Sequence, residues 1–216
     1  MGTRKVKRIL LRHPAAICFG SSTDTPNLFL AQCASVCYNS ERLRNCDEEE
    51  AIEFLNKIVD NGHLGVLEHV TMTFEVFCSR SCSHQFERHR VGFSYLEVSQ
   101  RRVMPDGDPT AMWTDELTLK QTAYVQRQLA QAYANSMYVY KALVRKGIPK
   151  EIARYALPEM TTTRMIVTAN LRAWRDFLSK RLPKAAQSEI RTIATQIYQY
   201  VQCYCPPAVR GLKVSK

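Results

Sequence analysis

The apolar positions of this chain change period as it runs. Residues 6–11 (VKRILL) and 15–19 (AAICF) are short, strand-like runs. Thr25-Pro26 then supplies an N-cap residue followed by proline at the first helical position. The spacing predicts a helix from Pro26 to about Tyr38, with Leu28, Leu30, Ala31, Ala34 and Cys37 near one face. Asp47-Glu48-Glu49-Glu50 loads acid into the first turn of the next helix, where it complements the helix dipole. Ile52, Leu55, Ile58 and Val59 give that helix its buried stripe, and Gly62 its C-cap. Residues 70–77 (VTMTFEVF) are β-branched and aromatic, without Gly or Pro, which predicts a strand. A short helix follows over about 79–88. Residues 91–112 read as loop, punctuated by Pro105, Gly107 and Pro109. Thr114 is the predicted cap of a long helix reaching Lys146, stopped by Gly147 and Pro149. Two or three further helices fill 150–203, broken near Pro158 and Pro183. This is not an alternating βαβ chain. The expectation is a single domain over 1–216, of α/β class and α+β type, with a mixed sheet and a helix-rich second half.

A chain of 216 residues can bury a proper core. No stretch approaches the ~20 consecutive apolar residues of a membrane span. The basic start leads into only a short apolar patch, so a soluble, cytoplasmic protein without a membrane partner is expected. Charge changes the picture more. Thirty Lys and Arg stand against twenty Asp and Glu, a net charge of +10, and Arg outnumbers Lys 19 to 11. Arg is suited to planar, bidentate capture of phosphate and carboxylate. The excess points to nucleic acid, nucleotides or phosphorylated cofactors; a merely basic, solvated surface is the ordinary alternative.

The eight cysteines, Cys18, Cys33, Cys37, Cys46, Cys78, Cys82, Cys203 and Cys205, form no C-x-x-C. Cys33/Cys37 and Cys78/Cys82 are four apart, which would put each pair on one helix face. Neither zinc spacing nor the small secreted chain of a disulfide framework is present. No metal site is expected, and most of these thiols read as reduced core residues.

The densest chemistry lies in residues 85–102, QFERHRVGFSYLEVSQRR. Arg88, Arg90, Arg101 and Arg102 repel one another unless anions neutralise them. Arg, Gln and Ser side chains also offer hydrogen bonds to a planar base. No G-x-G-x-x-G occurs, so any nucleotide would be held by side chains rather than by a glycine-rich loop. Composition alone leaves a phosphate-binding loop and a solvated basic loop both open.

The stretch resembles the signature of the flavin-dependent thymidylate synthases, an Arg-His-Arg followed by Ser. Gly62-His63 and Leu67-Glu68-His69 resemble the family's residues before its strand. Ala153-Arg154, Leu157-Pro158, Thr168-Ala169-Asn170-Leu171-Arg172, Arg181 and Ala186-Gln187-Ser188-Glu189-Ile190 follow in the family's order. The resemblance runs from about residue 25 to residue 207. There are departures. Eight residues rather than seven separate Arg90 from Ser99, with the extra one placed within 91–94. Gly65 stands where Ser or Thr is frequent, Arg102 where an aromatic is usual, and Asp176 where Asn or His is common.

The resemblance implies methylation of dUMP at C5. The carbon would come from 5,10-methylenetetrahydrofolate and the hydride from FAD reduced by NADPH. It implies FAD contacts from Arg88, His89, Arg90, Glu97, Asn170, Leu171 and Arg172, and from Gly65, His63 and Asp176 at the departing or less specific positions. Gln85, Arg88, Ser99, Gln100, Arg101 and Arg154 would hold dUMP. Arg181 would lie against the uracil, favour ionisation at N3, and be the catalytic residue. The ordinary alternative is a helix arginine pairing with Glu189 or a neighbour. His69 reads as orienting its turn, and Glu68 as satisfying nearby donors. The family also implies a homotetramer with active sites shared between subunits, the helix predicted at 114–146 being a candidate interface. The other class of thymidylate synthase uses a thiolate in a Pro-Cys-His setting; here Cys205 precedes Pro206 and no such tripeptide exists. Two other functions stay open on the residues alone: a related flavin enzyme modifying C5 of another pyrimidine nucleotide, and a basic nucleic-acid-binding protein without catalysis.

Overall fold

The structure, a computed structural model, describes residues 14–105, 109 and 117–214. The strand predicted at 6–11 and the cap predicted at Thr114 lie outside them. β1 (Ala15–Ser21) leads into α1 (Pro26–Tyr38), the short α2 (Glu41–Arg44) and α3 (Glu48–Asp60). A 3-10 turn, Leu64–His69, enters β2 (Thr71–Ser79), which runs directly into α4 (Arg80–Phe86) and then β3 (Phe93–Glu97). The long α5 (Leu119–Arg145), α6 (Lys150–Ala153) and a 3-10 turn (Arg154–Ala156) precede β4 (Thr162–Asn170), α7 (Leu171–Arg181) and α8 (Ser188–Tyr204).

The four strands form one antiparallel sheet in the order β1-β2-β4-β3. Two expectations are corrected here. Residues 93–97 are a strand, not loop, and 162–170 are a strand inside the region read as all helix. In both, alternation carries the structure: Phe93, Tyr95 and Glu97 turn inward while Ser94 and Leu96 are exposed. On β4, Thr163, Met165, Val167 and Ala169 are buried. The sheet is therefore antiparallel throughout rather than mixed.

One face of the sheet is covered by α4, α7 and α8, and the core fills that side with Phe74, Phe86, Met165, Trp174, Phe177 and Ile193. The opposite face is open among the described residues. Its central cross-strand row reads Ile17–Glu75–Ile166–Leu96, with Ile17 and Leu96 exposed at its two ends. α5 packs on α6 and the turn after it, and buries only Tyr133 and Tyr140. Its cap is Thr118, whose side chain accepts from Gln121 N in a capping box.

Smaller corrections follow from geometry. Ile52 is half-buried and Ala51 takes its place in the α3 stripe. In α1, Asn27 and Ser35 are buried while Leu28 is half-buried and Cys37 exposed. Thr25 occupies the N-cap position without a capping hydrogen bond. Cys78 ends β2 and Cys82 lies in α4, so they share no helix face. Only Cys78, Cys82 and Cys205 of the eight cysteines are buried, and all eight are free. No helix of the described residues is long and apolar enough to cross a membrane.

Candidate active site

The junctions at the ends of β2 and β4 build the site. At the first, Ser79 caps α4: its hydroxyl accepts from Cys82 N at 3.1 Å. Ser79 is itself held from α8. Its N–H and hydroxyl both donate to the buried Glu189 carboxylate, each at 2.7 Å. Glu189 therefore does not pair with Arg181; it fixes the N-terminus of the helix that delivers the Arg88-His89-Arg90 segment. Burial raises the Glu189 pKa, partly offset by the two Ser79 hydrogen bonds. A carboxyl whose folded pKa is raised favours the folded state fully below its unfolded pKa. That contribution is lost as pH rises through the folded value. Relative to wild type, Glu189→Gln is expected to gain in melting temperature as pH rises from about 4 towards neutral, on top of a constant loss from the one acceptor the amide lacks. A difference that does not depend on pH would contradict this assignment.

α4 ends at Phe86, and the segment that follows alternates in exposure. Arg88 and Arg90 are exposed, whereas His89 is buried. The imidazole packs edge-on to Phe177 at 5.0 Å and beside Phe93 at 6.0 Å. The Tyr95 hydroxyl reaches the carbonyls of both Phe86 (2.7 Å) and His89 (2.6 Å), pinning the segment to β3. Arg181, at the end of α7, donates through Nε to His89 Nε2 at 3.0 Å and through a terminal nitrogen to the Gln85 carbonyl at 3.2 Å. Burial, and then the Arg181 charge, lower the His89 pKa to about 4. The ring is neutral at physiological pH.

The turn between Arg90 and β3 depends on one glycine. Gly92 has φ +76°, and a Cβ there would lie 2.9 Å from Ala173 Cβ and 3.3 Å from Asn170 Nδ2. This falls within the 91–94 stretch where the extra residue is expected. Gly92→Ala is expected to cost about 1–3 kcal/mol, from the strained backbone and the clash together. Urea denaturation checks this, and an unchanged midpoint would refute it.

At the second junction, Asn170 caps α7, its Oδ1 accepting from Ala173 N at 2.8 Å. Its oxygen is thus committed to the helix. Leu171 is fully buried in the core, so its side chain is closed to a ligand. Arg172 pairs with Glu68 on the surface. Asp176 pairs with Lys180 at 2.7 Å.

The remaining expected residues are distributed. Glu97 sits on the inward face of β3, ion-paired with Arg80, and its Oε1 is buried with no hydrogen-bond partner among the described residues. The Gln85 side chain meets Gln187, an amide pair joining α4 to the start of α8. Ser99 is exposed, and Arg101 bonds Glu151 at 3.0 Å. Arg154 is half-exposed in its 3-10 turn. A cavity of about 330 Å³ beside Gln100 is walled by Phe77, Val98, Val103, Met104 and Arg164. A second, of about 470 Å³, is lined by His63, Gly65, His69, Cys33, Cys37 and Tyr38. A Cβ on Gly65 would meet nothing within 4 Å. Neither cavity includes His89 or Arg181. Arg80, Gln187 and Glu189 received no site role from sequence, because each acts through a partner distant along the chain. Among the described residues no cluster of His, Cys, Asp and Glu could hold a metal ion.

The sequence profile of the family described as "Thymidylate synthase complementing protein" matches residues 20–207. A flavin-dependent thymidylate synthase of Geobacter sulfurreducens is 35% identical over 195 residues, 87% of this chain and 82% of that protein. Its counterpart in Pyrococcus furiosus is 32% identical over 164 residues, 75% of this chain and 67% of that one. In fold, the UMP/dUMP methylase PolB from Streptomyces cacaoi, solved with 5-Br dUMP, superposes with a TM-score of 0.82 at 24% identity, covering 93% of this chain and 95% of that one. By its profile match and these relatives, the chain belongs to the thymidylate synthase complementing protein family.

Proposed function

We propose that this protein is a flavin-dependent thymidylate synthase that methylates dUMP at C5, with 5,10-methylenetetrahydrofolate as carbon donor and NADPH as reductant. The observation that carries the reading is the anchoring of Arg181 on His89 and on the Gln85 carbonyl, which joins two motifs 92 residues apart in one cationic centre. Arg181 has only donors, and those left over from these two bonds are available to a substrate. Set against a uracil ring, a fixed guanidinium stabilises negative charge as it develops on the base and makes C5 nucleophilic. Gln85, Arg88, Ser99, Gln100, Arg101 and Arg154 would hold the nucleotide, the arginines meeting its phosphate.

The residues suit FAD. Arg88 and Arg90 are exposed cations without an ion pair among the described residues, apt for its pyrophosphate. The cavity at His63 and Gly65 offers a wall without side chain at Gly65. The flavin, once bound, supplies the hydride that completes the methyl group.

We further propose a cytoplasmic homotetramer with active sites shared between subunits. The open sheet face with exposed Ile17, Phe19 and Leu96, and the sparsely packed α5, support an assembly. So does the separation of the two cavities from Arg181.

Cys205 does not serve as a thiolate nucleophile. Cys205 is buried, donates to Asn27 Oδ1 at 3.2 Å, and burial pushes its thiol up to about 12. Cys205→Ala is expected to retain turnover; total loss with normal folding would overturn this. The test of the reading itself is spectral. FAD-loaded protein titrated with dUMP is expected to show a saturable change in flavin absorbance. A colourless protein that takes up no FAD would defeat the proposal.

A further inference from the structure

We propose that His89 is the positioning residue of Arg181, holding its guanidinium to the pyrimidine rather than serving as a flavin contact. The inference rests on the reading above that Arg181 faces the base. Arginine can only donate, so the 3.0 Å contact from Arg181 Nε requires Nε2 of His89 to be an unprotonated acceptor. The ring proton is therefore on Nδ1. His89 is only 9% exposed, and its ring is fixed by Phe177 and Phe93. Its backbone is fixed by the Tyr95 hydroxyl. An acceptor held this firmly sets the direction of a long, otherwise mobile side chain.

The Gln85 carbonyl takes a second N–H. Together the two acceptors use two of the five N–H donors and leave three facing elsewhere. The orientation is set from one edge of the fork, so the opposite edge is presented as a unit.

The charged groups around the ring agree with a neutral acceptor. Among the described residues, Arg181 and Lys180 both oppose a proton on His89, and only Asp176 favours one. Asp176 is itself paired with Lys180 at 2.7 Å. A protonated imidazole would lose the hydrogen bond and meet the guanidinium as a like charge.

The test uses FAD-loaded protein with bound 5-fluoro-dUMP and reads N3 ionisation of the analogue by 19F NMR across pH. No turnover is involved. In the wild type a fixed cation is expected to raise the N3 ionisation constant of the bound analogue about ten- to thousandfold over the free nucleotide. Arg181→Gln is expected to abolish the rise. His89→Leu is expected to abolish it as fully, and the double variant to lose no more, because both act through one guanidinium. His89→Gln, which restores an acceptor near Nε2, is expected to recover most of the rise. Should His89→Leu fail to fold, His89→Phe carries the same expectation. Wild-type ionisation in His89→Leu or His89→Phe, with loss in Arg181→Gln, would overturn the role of His89 and leave that of Arg181 standing. Wild-type ionisation in Arg181→Gln would overturn both.

Discussion

Replacing Arg181 by alanine is expected to lower kcat about 10²–10³-fold while leaving the protein folded. The loss falls on kcat because the guanidinium acts on charge that develops during reaction, not on the resting nucleotide. Folding survives because Arg181 is only half-buried and water can reach the acceptors it leaves on His89 and Gln85. Arg181→Lys is expected to restore only part of the activity. An ammonium keeps the charge, but its compact donors do not reproduce the planar fork held between two acceptors. Steady-state kinetics beside a thermal melt checks both variants. A rise in KM alone would assign Arg181 to ground-state binding instead.

Phe177→Ala is expected to have the largest effect on stability, about 3–5 kcal/mol. Phe177 is fully buried and stacks on Phe86 at 4.8 Å, with Trp174 edge-on at 5.6 Å. It also forms the floor beneath His89. A loss of that size is a large share of the ~5–15 kcal/mol that holds a typical domain together. A urea midpoint near wild type would show that this aromatic cluster is not the keystone of the α4–α7 packing. Phe177→Leu, which keeps most of the volume, is expected to cost much less.

These two predictions rest on different layers of legibility. The motifs were readable because their residue types are concentrated and their order is kept from residue 62 to residue 190. β2 was readable because residues 70–77 are β-branched and aromatic, without Gly or Pro. β3 was hidden by its length of five residues and by the Pro and Gly that follow it. β4 carried a usable signal in Thr162, Thr163, Ile166, Val167 and Thr168, but Pro158 and the helices around it drew the boundary elsewhere. What no local pattern could reveal was pairing at long range. The Ser79–Glu189 bonds span 110 residues, and the Arg80–Glu97 pair links a helix start to a strand end. The same holds for the division of Arg88-His89-Arg90 into two exposed cations and one buried acceptor. Exposure within a turn is decided by what packs on it, here Phe177 and Phe93 from other elements.

The net charge of +10 also gains a narrower meaning. Several arginines are tied to carboxylates: Arg80 to Glu97, Arg101 to Glu151, Arg172 to Glu68. Arg88 and Arg90 stay exposed on either side of His89, the residue that Arg181 bonds.

The central claim is best tested by tritium release from C5-labelled dUMP. The assay contains the purified protein with FAD, NADPH and 5,10-methylenetetrahydrofolate, and thymidylate is measured in the same samples. Label is expected to be released in step with thymidylate formed, and both are expected to fall together in Arg181→Ala. No thymidylate from flavin-loaded wild-type protein, or equal turnover by the variant, would contradict the claim.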